Sequence, residues 1–102
     1  MEKRKHPRSH VSLNVELAFP GGRTRNATTR DLSIGGFFVE SKENESPSIG
    51  TPLSVTFLTT PHHADPYSIR ARVQRLTPKG FAMTFIDFSL DDLRFIEKLF
   101  PP

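Results

Sequence analysis

Apolar and polar residues alternate along most of this chain with a period of two. Val11, Leu13, Val15 and Leu17 are separated by Ser12, Asn14 and Glu16, the pattern of a strand with one face buried. Phe19-Pro20-Gly21-Gly22 ends that run with turn chemistry. Residues 23–31 are rich in Thr and predict a second, more exposed strand. Gly35-Gly36 break the line, and Phe37-Phe38-Val39-Glu40 reads as a third strand. A charged loop from Ser41 to Gly50 holds Pro47; Leu53, Val55 and Phe57 then alternate in a fourth strand ending near Thr60. The segment Pro61-His62-His63-Ala64-Asp65-Pro66 reads as a surface loop. Ile69, Ala71 and Val73 alternate with Arg70, Arg72 and Gln74 in a fifth strand. Beyond the turn Pro78-Lys79-Gly80, Phe81, Met83 and Phe85 alternate with Ala82, Thr84 and Ile86 in a sixth.

The period changes at Ser89. A Ser followed three residues later by Asp92, with Asp91 in the first turn, is a carboxylate variant of the capping box and marks a helix start. Leu90, Leu93, Ile96, Leu99 and Phe100 recur at helical spacing, and Pro101-Pro102 stop the element, so a helix is expected over about 89–100. The fold class expected is mainly β: a six-stranded antiparallel barrel with a C-terminal helix packed across it. Residues 11–102 form that barrel and helix, preceded by a flexible basic arm over residues 1–10. At 102 residues there is room for one such domain.

Charge adds an asymmetry. From Met1 to Asp31 there are seven Lys or Arg against three acids, and from Leu32 onward seven against eight, so the positive field belongs to the N-terminal third. The chain has no cysteine, which excludes disulfides, thiolate metal sites and a cysteine nucleophile. No apolar run approaches the roughly 20 residues a membrane span needs. The chain reads as soluble and unexported, and a cytoplasmic location is expected.

Two polar segments carry the candidate chemistry. The first, Lys3-Arg4-Lys5-His6-Pro7-Arg8, presents two guanidinium forks; Pro7 biases His6 away from helical geometry, so an extended arm is expected. The second, Asp31-Leu32-Ser33-Ile34-Gly35-Gly36, supplies a carboxylate, a hydroxyl and a flexible turn. Guanidinium forks match phosphates and the O6/N7 edge of guanine, and a carboxylate accepts from the guanine N1 and N2 donors. Together they suit an anionic, guanine-bearing ligand. If the first three strands are neighbours, both segments are expected to meet over one end of the barrel.

Arg4-x-x-x-Arg8 followed by Asp31-x-Ser33-x-x-Gly36 resembles the two-part signature of PilZ domains, bacterial receptors for cyclic di-GMP. The resemblance extends over nearly the whole chain, through the six-strand order, the Val73 to Phe85 hairpin and the closing helix. It implies that Arg4 and Arg8 grip the ligand's phosphates and guanine edges. Asp31 and Ser33 would hydrogen-bond a guanine and nearby polar groups, and Gly36, with Gly35, would let the backbone approach closely. The family often carries a Trp two residues after the Val73 position. Here that position is Arg75, whose guanidinium plane also stacks on or forks to guanine. A basic residue before the first arginine, here Lys3, implies two stacked ligand molecules per protomer. The resemblance further implies a receptor or adaptor that orders its arm on binding and signals to a downstream protein controlling motility, biofilm or exopolysaccharide. No cofactor and no resident metal are expected.

Two other classes compete. A small basic barrel binding single-stranded nucleic acid is disfavoured, because the arm has no interleaved aromatics and the nine Phe fall mainly at inward positions. A PilZ-like adaptor that binds protein and no nucleotide is the other. Enzyme chemistry has no support: there is no nucleophile elbow and no phosphate-cradling loop, and the helix start explains Asp91-Asp92. Adjacent His62 and His63 on an extended chain point to opposite sides, which argues against a metal site with Asp65.

Overall fold

The computed structural model of the chain describes residues 12–40, 47–58 and 65–99. Six strands and a terminal helix follow in the expected order: β1 Asn14–Ala18, β2 Thr24–Arg30, β3 Gly36–Glu40, β4 Pro52–Phe57, β5 Tyr67–Thr77, β6 Gly80–Phe85 and α1 Leu90–Leu99. The strands pair in the order β1-β2-β3-β6-β5-β4, with β4 returning to β1, and every pairing is antiparallel. The sheet therefore closes on itself and leaves no free edge.

Alternation decides which residues fill the interior. Val15 lies across from Ala27 and Phe57, Leu17 from Arg25 and Val55, Phe37 from Met83, and Val39 from Phe81. The inward set of Val15, Leu17, Val39, Val55, Phe57, Ala71, Val73 and Phe81 is fully buried. Thr29 is the one buried polar side chain among the described residues, and its Oγ1 accepts from the Leu13 N–H at 3.3 Å. The Thr29 N–H in turn donates to the Leu13 carbonyl at 2.9 Å, so the β1–β2 ladder runs one residue beyond the strand itself.

Some boundaries differ from the sequence reading. The fourth strand ends at Phe57 rather than near Thr60, although the Leu58 N–H still donates to the Asn14 carbonyl at 3.2 Å. Val11, His62, His63 and Phe100 lie outside the described residues. β5 runs for 11 residues where the alternation supports only Ile69 to Gln74. Its early end pairs Tyr67 and Ser68 with Phe57 and Thr56, and its late end pairs Arg75, Leu76 and Thr77 with Ala82, Phe81 and Gly80.

The helix closes one end of the barrel. Its capping box is complete: the Asp92 N–H donates to Ser89 Oγ at 3.1 Å, and the Ser89 N–H donates to Asp92 Oδ2 at 3.0 Å. Phe95, Ile96 and Leu99 form the buried face. Leu90, expected in the apolar stripe, is 62% exposed. At 3.6 residues per turn it lies about half a revolution from Leu99 and so falls off the buried face, whereas Ile96 and Leu99 of the expected stripe lie on it. Phe95, which that reading omitted, is the centre of the contact: it stacks on Tyr67 at 4.4 Å and meets Phe57 at 5.4 Å. Phe57 touches Phe37, Phe37 touches Phe85, and Phe85 stacks on Phe88, which continues the aromatic plug. The Tyr67 hydroxyl donates to Asp92 Oδ1 at 2.7 Å and ties the helix start to β5. That hydrogen bond to Asp92, then burial, then the neighbouring carboxylate charges push the Tyr67 pKa up to about 12.

Candidate ligand-binding site

The segment between β2 and β3 is a built turn. Asp31 takes a left-handed backbone (φ 53°), a conformation Asp tolerates better than most residues, and so ends β2. Leu32 anchors the turn by complete burial. The Ser33 N–H donates to the Gly36 carbonyl at 2.9 Å, and the Gly36 N–H to the Ser33 carbonyl at 3.3 Å. Ser33 Oγ accepts from the Gly35 N–H at 3.2 Å and donates to the Gly36 carbonyl at 3.4 Å. The Gly35 carbonyl is held by β6, accepting from the Phe85 N–H and from Thr84 Oγ1, each at 3.2 Å. Ser33 is thus a turn-former whatever else it does, with hydroxyl bonds spent on its own loop.

The two glycines differ. A Cβ on Gly36 would stand 2.0 Å from the Met83 carbonyl oxygen, so the β3–β6 ladder itself requires glycine there. A Cβ on Gly35 would meet only Ser33 Oγ at 3.8 Å, and its φ is not positive. The fold explains Gly36; it does not explain Gly35, which is exposed beside the turn.

Asp31, Ser33, Gly35, Gly36 and Arg75 share one cavity of about 630 Å³, walled further by Phe38, Gln74, Ala82 and Thr84. It opens on the outer wall of β3, β6 and β5 beside the turn. The expected meeting of the two segments over one end of the barrel involves residues 3–8, which lie outside the described residues. A second cavity of about 440 Å³ adjoins it, lined by Arg30, Asp31, Phe38, Arg75, Thr77, Pro78 and Lys79. Arg30 forms an ion pair with Glu40 across β2 and β3.

A β-bulge delivers Arg75 to this wall. The β5–β6 register runs Val73 to Met83 and then Arg75 to Ala82, leaving Gln74 as the extra residue. Ile69, Ala71 and Val73 point inward, and without the bulge Arg75 would follow them into the apolar interior. With it, Gln74 and Arg75 are both exposed. Sequence alternation alone gives no sign of this shift.

Of the residues expected to bind ligand, five meet at the first cavity. Lys3, Arg4 and Arg8 lie outside the described residues. The sequence reading missed Phe38, Gln74, Ala82 and Thr84. The Phe37-Phe38 pair carried a signal for one of them, since consecutive strand residues face opposite ways and one ring had to point out. No group of three or more His, Cys, Asp or Glu placed to hold a metal occurs among the described residues. No helix among them is long and apolar enough to cross a membrane.

A family model described as PilZ domain matches residues 2–100. The chain belongs to the PilZ domain family. PilZ domains are a cyclic di-GMP-binding family of binding and adaptor modules rather than enzymes. Among solved structures, the PilZ domain of CeSA from a cellulose synthesizing bacterium is similar, with a TM-score of 0.73 at 21% identity over 91% of this chain and 93% of that one. The Bacillus subtilis Inhibitor of motility (MotI/DgrA) is similar with a TM-score of 0.75 at 17% identity, over 97% of this chain and 50% of that one. This PilZ chain therefore spans half the length of the motility inhibitor. At such identities the likeness is one of fold. No curated protein matches the chain.

Proposed function

We propose that this PilZ domain is a cyclic di-GMP receptor whose ligand sits in the cavity on the β3–β6–β5 wall. The observation that carries the reading is the meeting of Asp31, Ser33, Gly35, Gly36 and Arg75 around one cavity of about 630 Å³, a volume within the usual range of small-molecule sites. Asp31 accepts from a guanine N1 and N2 edge, and Arg75 supplies a cationic plane. Gly35 keeps the rim bare where the fold makes no demand for glycine. The phosphates recruit Arg4 and Arg8, and Lys3 favours two stacked ligand molecules per protomer. The surface formed by the arm and the bound ligand is what a downstream protein reads, in the control of motility, biofilm or exopolysaccharide in the cytoplasm.

Charge-assisted contacts contribute roughly 1.5–3 kcal/mol each, so losing either arginine costs one to two decades of affinity. Titration calorimetry with cyclic di-GMP, GTP and a short oligonucleotide tests the reading, repeated on Arg4→Ala. Heat with cyclic di-GMP alone, weakened in the variant, is the expected result. Absence of heat with cyclic di-GMP, or equal binding of the oligonucleotide, overturns it. One ligand per chain removes the stacked pair.

A further inference from the structure

Seven of the eight described phenylalanines belong to the core or pack against it; Phe38 is the exception. It stands on the outer face of β3, half-buried, with no ring contact to another aromatic among the described residues. An apolar ring of this size on a barrel's outside, apart from the core cluster and with no aromatic neighbour among the described residues, is available to a ligand.

The registers place it. Phe38 lies directly across from Ala82, and Ala82 directly across from Arg75. The three side chains stand on one face, with the smallest in the middle. Two strand spacings separate the backbones of Phe38 and Arg75, roughly 9.5 Å. A flat ring touching a surface on each side at 3.5–4.0 Å needs about 7–8 Å between them. The result is a slot with an aromatic wall, a guanidinium wall and a methyl floor. Asp31, Phe38 and Arg75 are also the three residues common to both cavities, so the slot lies where the two meet and has a carboxylate at its margin. The bulge at Gln74 is what turns Arg75 to face it.

We infer that Phe38 and Arg75 clamp one purine base of the ligand between them over Ala82. This rests on the cavity being the cyclic di-GMP site, and it assigns the aromatic stacking surface of that site to β3.

The experiment uses the full chain and three variants, Phe38→Leu, Phe38→Trp and Ala82→Leu, each checked by circular dichroism. Phe38→Leu keeps an apolar side chain and removes the π face. Its affinity for cyclic di-GMP should fall about 5- to 100-fold, the range that loss of a base–aromatic stack gives. Ala82→Leu fills the floor and should weaken binding while the barrel stays folded. The chain has no Trp, so Phe38→Trp places a lone indole in the slot. It should bind near wild-type affinity, with its fluorescence quenched as ligand saturates. If wild type binds and Phe38→Leu binds equally well, or the indole emission does not change, the clamp is wrong and the receptor reading stands. If wild type gives no heat, both fall together.

Discussion

The β3–β6–β5 wall has two faces built from the same strands with opposite chemistry. Inward stand Phe37, Val39, Val73, Phe81 and Met83, all buried and interlocked with the aromatic plug under the helix. Outward stand Phe38, Gln74, Arg75, Ala82 and Thr84, partly or fully exposed around a cavity. One extra residue in β5 keeps Arg75 out of the first group and puts it in the second. The difference teaches that stability and recognition are separable across a single layer of backbone. Changes to inward side chains should cost folding free energy, and changes to outward ones should cost affinity at constant stability.

The largest break is expected on the inner face. Phe57→Ala removes a fully buried ring that touches both Phe37 and Phe95, and should destabilise by about 3–5 kcal/mol in chemical denaturation. Next comes the glycine pair, which tests the comparison within two adjacent residues. Gly36→Ala drives a methyl into the Met83 carbonyl and should cost at least ~1–3 kcal/mol. Gly35→Ala makes only an ordinary contact with Ser33 Oγ at 3.8 Å and should stay within about 0.5 kcal/mol in the same assay. On the outer face, Arg75→Ala should leave the melting temperature unchanged while weakening cyclic di-GMP about tenfold, equivalent to ~1.4 kcal/mol.

A small effect is also expected at the helix latch. Tyr67→Phe keeps the stack on Phe95 and loses the bond to Asp92, at a cost of ~1 kcal/mol for a partly exposed contact. Because folding raises the Tyr67 pKa from 10.0 to about 12, the protonated phenol is favoured in the folded state. Its contribution is complete below pH 10 and is lost as pH rises through about 12. Denaturation followed across that window should show the loss in wild type and not in Tyr67→Phe.

Much of this was legible in the sequence, for physical reasons. Alternation such as Val15, Leu17 and Phe81, Met83 names strands because one face must be apolar, and Ser89 with Asp92 names the helix start because orphan N–H groups need acceptors. The Asp31 to Gly36 segment was legible as a turn and as a candidate site, and Ser33 serves the turn directly. What alternation does not reveal is a change of phase. The Gln74 bulge has no local signature, so β5 read as ending where it in fact carries on to Thr77. The helix stripe was right at Ile96 and Leu99 and wrong at one end. Leu90 fits an apolar list but stands on the solvent side, and Phe95 is buried because Tyr67 and Phe57 wait beneath it. Phe38 was hidden by its neighbour, since two adjacent rings read as core until the pairing shows which one faces out.

The most direct test of the central claim pairs affinity with stability at Asp31. Asn is the right replacement, because it keeps tolerance for the left-handed backbone at φ 53° and the side-chain shape while removing the charge and turning one acceptor oxygen into a donor, where Ala would add strain of its own. Calorimetric titration with cyclic di-GMP and thermal melts of wild type and Asp31→Asn should give binding in wild type, affinity at least about tenfold weaker in the variant, and matching melts. Equal affinity in the two proteins, or no binding to wild type, would contradict the account.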